Sequence, residues 1–422
     1  MTYKKKILKN GLRIITVPMK DNPAVTMLVM VEAGSKYESK EISGVSHFLE
    51  HMCFKGTRKR PKAIDISREL DSIGSQYNAF TSQEFTGYYA KSDPKHLDKI
   101  LDVISDMYLN PLFDEKEIEK EKGVITGEID MYEDMPQQNV QDVFMKLLYG
   151  DQPAGWSVAG TKKSVRVLAR KDFEEYRRKH YVSGATSVIV AGKFNEETIF
   201  DEIEKKFYGI NSSERKKKIK ITEEQKKPAI VIKNKKTDQT HIVIGVRTFD
   251  IFSDFNSTLK VMSVILGGGM SSRLFQKLRD EMGVGYYVSA SNDAYTDHGC
   301  FQVLAGIDNA RVKETVKVIL EEFKKIKEDD ISEEELKKAK DYITGNMFLG
   351  LETSDSLAEF YGYQEILKKE IQTPQEIAKK ISMVNSQDIK KVANMIFQDK
   401  NLNIAILGKF EDSKEFKDIF HI

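Results

Sequence analysis

The sequence predicts an α+β chain: two duplicated α/β sandwich domains, each a mostly antiparallel sheet packed with helices. Three observations carry this reading. At 422 residues the chain exceeds one comfortable hydrophobic core. Short segments recur in its two halves: Ala191-Gly192-Lys193-Phe194 returns as Leu407-Gly408-Lys409-Phe410, and Ile125-Thr126-Gly127 as Ile343-Thr344-Gly345, at closely similar offsets. In each half, strand-like runs precede and interleave with helical stretches, which is the pattern of a layered α/β or α+β sandwich.

The elements follow in order. The first half opens with strand-like Leu12–Val17 and Val25–Val31. A helix is expected from an N-cap at Ser43 to a stop near Gly56, with Val45, Phe48, Leu49 and Met52 as its apolar stripe. A helical pair, His96–Tyr108 and Glu115–Met131, comes next, and the apolar run Ser187–Val190 closes the half. Between the halves, Asn211–Pro228 holds the run Arg215-Lys216-Lys217-Lys218 and reads as a solvated linker. The expected domains are therefore residues 1–212 and 228–422, with a linker at 213–227. The second half repeats the scheme with Ala229–Lys233, His241–Val246, a helix over Leu259–Leu266 and the apolar run Asn403–Ile406. Carried through without gaps, the repeat aligns Asp114 with Ser332 and Glu117 with Glu335. Each pair is an N-cap followed by a glutamate at the third helical position, so both helices should start alike.

Composition narrows the function classes. Lys+Arg 66 against Asp+Glu 65 leaves a formal net charge of +1, which provides no field for nucleic acid or an anionic membrane. The linker lysines lack the interleaved aromatics of a single-strand binder, so no nucleic-acid partner is expected. No apolar run approaches the roughly 20 residues of a membrane helix. The two cysteines, Cys53 and Cys300, suggest no disulfide framework and suit a reducing compartment. The basic start Lys4-Lys5-Lys6 runs straight into a strand rather than a signal core, so a cytoplasmic location is expected. Gly267-Gly268-Gly269 lacks the Lys-Ser/Thr of a phosphate loop and reads as a turn.

The chemistry concentrates at His47-Phe48-Leu49-Glu50-His51. The histidines are one helical turn apart, so both imidazoles leave the same side of the helix. Glu50 shares that side, where a carboxylate can take a proton from an activated water. The order is that of the inverted zincins. Zinc takes imidazole and carboxylate ligands and keeps a position open in hydrolytic sites, so two histidines call for a third ligand. The helix that begins after Asp114 is its natural source. Ile118, Val124, Ile125, Ile129 and Tyr132 form its apolar sector; Glu121 and Glu128 fall at the flank of that sector, where an unpaired carboxylate is costly. In the repeat these two acids become Ala339 and Asn346, and the helix at Leu259–Leu266 carries no ligand. Only the first copy holds both histidines and both inward acids.

These residues resemble the signature of the pitrilysin family of inverted zincin metallopeptidases, which includes insulysin and mitochondrial processing peptidase; the half-length, processing-peptidase-like branch is the nearest. The resemblance spans almost the whole chain. It implies one zinc ion per chain held by His47, His51 and Glu128, with Glu50 as general base and Glu121 orienting a histidine. Asn78-Ala79-Phe80-Thr81-Ser82 and Tyr88-Tyr89-Ala90 look like the family's substrate-binding edge strand, which implies that Asn78, Ala79 and Phe80 contact an extended peptide. Arg279 and Tyr286 resemble the pair with which members grip the substrate backbone. The implied activity is endopeptidase hydrolysis of short or unfolded peptides in a chamber. The implied assembly is a homodimer whose sites are completed in trans. Scaffold members of the family that have lost ligands are the alternative, and the intact His47, Glu50, His51 and Glu128 argue against it.

Overall fold

The computed structural model describes residues 2–422 as two compact units. The first contains a six-stranded sheet of β1 (Lys4–Ile7), β2 (Arg13–Pro18), β3 (Val25–Val31), β4 (Gln76–Thr81), β5 (Thr86–Ser92) and β6 (Thr186–Gly192). Their order is β1-β2-β6-β3-β5-β4. The second contains a five-stranded sheet of β7 (Ala229–Asn234), β8 (Thr240–Thr248), β9 (Gly285–Ala294), β10 (Gly299–Ile307) and β11 (Asn403–Gly408), ordered β7-β11-β8-β10-β9. Leaving β1 aside, the two orders superimpose strand for strand. Each sheet has one parallel pair, β2 with β6 and β7 with β11, and is otherwise antiparallel. The duplicated α/β sandwich expected from the sequence is thus present at the level of topology.

β3 shows why one sheet needs two helical layers. Its sequence is apolar almost throughout, and all seven residues are buried. Such continuity, rather than alternation, marks a strand covered on both faces. Val25, Met27, Val29 and Val31 share the main core with α1 (Val45–Cys53), α2 (Ala63–Asp71) and α3 (Leu97–Leu109). Leu28 and Met30 face a helix at Ser354–Leu367, which comes close enough that a Cβ on Gly362 would lie 2.7 Å from the Met30 sulfur. That helix belongs by sequence to the second half.

The exchange is reciprocal. The first unit comprises 1–130, 156–219 and 348–373; the second comprises 131–155, 220–347 and 374–422. The second unit therefore takes α5 (Pro136–Tyr149) from the first half, with Val140, Phe144 and Leu148 packing on Val243, Cys300, Ala405 and Leu407. Contiguous segments ending at 212 and beginning at 228 do not describe these units, because each sheet buries its second face with a helix from the other half. Nor is the linker simply solvated. Arg215 pairs with buried Glu32, Lys218 pairs with buried Glu84, and Ile221 is buried in the core that covers the second sheet.

The paired helices α4 (Glu115–Asp134) and Glu333–Leu349 begin as expected, with Asp114 accepting from the amides of Lys116 and Glu117, and Ser332 from that of Glu335. The third-position glutamates pair with cations instead of closing the cap: Glu117 with Lys120 and Glu335 with Arg273. Val124, placed in the apolar sector of α4 by periodicity, is 54% exposed. Among the described residues no helix is long and apolar enough to cross a membrane.

Candidate metal centre

The centre is built on α1, whose apolar stripe Val45, Phe48, Leu49 and Met52 is fully buried under the sheet. This fixes the helix rotation and turns His47, Glu50 and His51 the other way. The helix starts one residue later than expected. Gly44, at φ 93°, is its N-cap, and a Cβ there would strike the Ala159 carbonyl at 2.6 Å. The orphan amides are met from a distance: the buried Glu38 carboxylate accepts from Gly44 N and Ser46 N, both at 2.7 Å. Ser46 in turn donates to the Tyr176 hydroxyl. Sequence reading placed the cap at Ser43 and missed Glu38, since a loop residue so far upstream leaves no capping signature.

α4 runs beside α1 and supplies the carboxylates. His47 Nε2 and His51 Nε2 each lie 3.7 Å from Glu128 Oε2. One ligand atom from each of the three residues falls within 4.8 Å of the others. Such separations are too long for hydrogen bonds. They suit three donors around a shared ion, since tetrahedral ligands about 2.1 Å from zinc stand about 3.4 Å apart. His47 Nδ1 is buried with no hydrogen-bond partner. Two imidazoles and one carboxylate are a zinc donor set, and the residues present fit that ion.

Burial and charge then differentiate the groups. Desolvation pushes His47 down to about 4, helped by the neighbouring His51, so its imidazole is neutral and able to ligate. For His51 desolvation also acts downward, but the hydrogen bond to Glu121 and the charges of Glu50, Glu121 and Glu128 outweigh it, and the net shift is upward. His51 Nδ1 meets Glu121 Oε1 at 2.8 Å. Because a carboxylate only accepts, Nδ1 carries the proton and Nε2 keeps its lone pair towards Glu128. Burial raises Glu121, yet the bonds from His51 and Lys55 prevail and hold it below the usual carboxylate range. Lys55 reaches Glu121 Oε2 at 2.6 Å. Its place one helical turn beyond His51 is the sequence signal for it.

Glu50 lies beside these groups. Desolvation raises its carboxyl, Glu128 adds to the rise, and the Thr81 hydrogen bond and His51 oppose it. Thr81 ends β4, the outermost strand of its sheet. Ser82 N donates to Phe85 O at the turn, which sets the phase of the β4–β5 ladder. By antiparallel alternation Tyr77, Ala79 and Thr81 then direct their amides and carbonyls to the open edge. Ala79 agrees: its N–H is held by the Asn78 side chain at 2.9 Å rather than by β5. Asn78 is exposed, and Phe80 lies over Gly87 against Phe85 and Tyr363.

Arg279 and Tyr286 lie in the second unit. Arg279 sits in a π-helical turn at Gln276–Glu281, and its Nη1 donates to the carbonyls of Gly285 and Tyr286 at 3.0 and 2.9 Å. Tyr286, near the start of the edge strand β9, is 55% exposed. The positions equivalent to the acids of α4 hold Ala339, buried in the core, and Asn346, bonded to its own helix at the Tyr342 carbonyl.

A pair of homologous α/β sandwiches, one of them carrying an inverted histidine motif, is the architecture of a class of metallopeptidases. Residues 13–162 match the sequence pattern described as insulinase, peptidase family M16, and residues 168–343 match that of the peptidase M16 inactive domain. A protein of Bacillus subtilis named as a zinc protease is 34% identical over 403 residues, covering 94% of this chain and 96% of its own. A Rickettsia felis zinc protease is 33% identical, with 95% and 96% covered. A protease from Helicobacter pylori has the same fold at a TM-score of 0.90 and 23% identity, covering 96% and 99%. A chain of Candida albicans complex III2 does so at 0.85 and 18%, covering 99% and 100%. The chain belongs to peptidase family M16, the insulinase family.

Proposed function

We propose that the chain is a zinc-dependent endopeptidase acting on short or unfolded peptides, with one ion per chain held by His47, His51 and Glu128. The observation that carries this reading is the convergence of those three donors beside Glu50, a half-buried carboxylate held on one oxygen by Thr81. When bound, zinc supplies Lewis acidity that brings the pKa of water from about 15.7 toward 7 and polarises the scissile carbonyl. Glu50 takes the proton of the attacking water and passes it to the leaving amine; its upward shift suits a group that must both accept and return a proton. Glu121, clamped between His51 and Lys55, holds the His51 tautomer. The open edge of β4 accepts the peptide as an added strand, with Ala79 and Thr81 offering main-chain bonds, and Asn78 and Phe80 beside them. Recognition through backbone predicts broad sequence tolerance.

Arg279 and Tyr286 grip the substrate from a second copy of the chain, in a homodimer that encloses the peptide in a chamber. The relatives named as zinc proteases support the metal and the reaction class. The test is the Glu50→Gln variant with a peptide mixture read by mass spectrometry, with and without chelator. Hydrolysis is expected to vanish while zinc stays bound. Retained activity in that variant, or a wild-type protein that purifies without stoichiometric zinc and ignores the chelator, overturns the reading in favour of a non-catalytic subunit.

A further inference from the structure

Thr81 joins two features that the proposed activity uses separately, the peptide edge and the base. Its hydroxyl lies 2.5 Å from Glu50 Oε2 and 3.4 Å from the Thr86 hydroxyl. A hydroxyl has one proton to give. Thr86, fully buried, spends its own on the Ala33 carbonyl at 2.8 Å. The Thr81 proton is therefore left for Glu50, and the carboxylate receives a charge-assisted bond on one oxygen while the other stays available for proton transfer. The main chain of the same residue faces the open edge, as the alternation of the β4–β5 ladder requires. The hairpin that carries it is fastened at its turn, where Ser35 N and Lys36 N donate to the Ser82 and Gln83 carbonyls.

We propose that Thr81 is a positioning residue: it orients Glu50 through its hydroxyl and ties that orientation to the strand on which the peptide lies. The proposal rests on Glu50 being the general base. A peptide that pairs with β4 bonds the Thr81 backbone, and the side chain leaving the same Cα sets the carboxylate against the reacting centre. This explains a threonine at the end of a solvent-facing strand whose hydroxyl points inward, a place where valine would match in shape and strand propensity.

The experiment compares Thr81→Val and Thr81→Ser with wild type in kcat, KM, zinc content and thermal midpoint. Loss of a hydrogen bond to a charged group is expected to lower kcat by about 10- to 100-fold in the valine variant. KM should stay within about threefold, with zinc stoichiometry unchanged. Serine, which restores the hydroxyl, should recover most of kcat. The proposal is overturned if the valine variant keeps kcat within about twofold of wild type, if its loss falls on KM alone, or if serine is as slow as valine. Loss of zinc from the valine variant also overturns it, since the residue then supports the metal site instead. If valine prevents folding, Thr81→Ala takes its place with the same criteria. Glu50→Gln, run alongside, separates the two readings: an active Glu50→Gln removes the base, whereas an inactive Glu50→Gln with a fully active Thr81→Val removes only the role of Thr81.

Discussion

A hydrogen bond separates two histidines that burial treats alike. His47 and His51 are one turn apart with ring centroids 4.7 Å from each other, yet one is pushed down and the other up because only His51 is bonded to an acid. Replacing Glu121 with Gln should weaken zinc binding by about 10- to 100-fold, the usual cost of losing a partner behind a ligand, read by competition with a chelator. A similar desolvation acts away from the centre at His180. Its imidazole packs against Tyr37 and Tyr176, its Nδ1 is buried without a partner, and desolvation holds it at about 4. The folded chain keeps His180 neutral, whereas the unfolded chain takes up its proton below about pH 6.5. Its contribution is therefore fully present above that pH and is lost as pH falls toward 4. His180→Gln should flatten the acid limb of stability between those values; denaturant midpoints at pH 7.5 and 5 that fall equally in both proteins would refute this.

At the level of elements, β4 matters because its outer edge is unpaired. Proline at position 79 removes an N–H that faces the edge, so the ladder to β5 is left intact. Ala79→Pro should raise KM for extended peptides, which displace the Asn78 side chain from this N–H, by about twofold or more, with little change in thermal midpoint. Phe80→Pro, one residue on, removes a ladder bond and should lower the midpoint instead. In the sequence β4 is marked as a substrate-binding edge strand only by the family resemblance of Asn78–Ser82, because strand order depends on pairings between segments far apart in the chain. α1 teaches the same lesson. Its apolar stripe is a property of helical spacing, while its cap by Glu38 exists only once the preceding loop has folded back over the helix N-terminus.

At the level of the molecule, each half of the sequence builds its main core alone, but the exchange of α5 and the helix Ser354–Leu367 leaves the second face of each sheet to a helix from the other half. Expression of residues 1–212 alone is accordingly expected to leave the faces of β3 and β6 that receive Gly362 uncovered. The proposed assembly has a sharper test. Glu50→Gln and Arg279→Ala are mixed after each is shown to be inactive. If sites are completed in trans, half of the randomly formed dimers contain both chains and each has one intact site, so about a quarter of wild-type activity should return. No recovery after subunit exchange would refute completion in trans.

Helical and strand periods, N-caps at Asp114 and Ser332, the repeated segments and the spacing of His47, Glu50 and His51 are all local, and they could be read directly from the order of residues. Local spacing also confined the remaining acid to the inward flank of one helix. Whether Glu128 stands where both imidazoles converge, whether Glu121 reaches His51 or stays idle, and which strand lies outermost all depend on contacts between residues distant in sequence. So does the exchange of helices, since the hydrophobic effect rewards covering an apolar sheet face without regard to which half of the chain supplies the cover. Distances through space set those outcomes, and packing of the whole chain sets the distances.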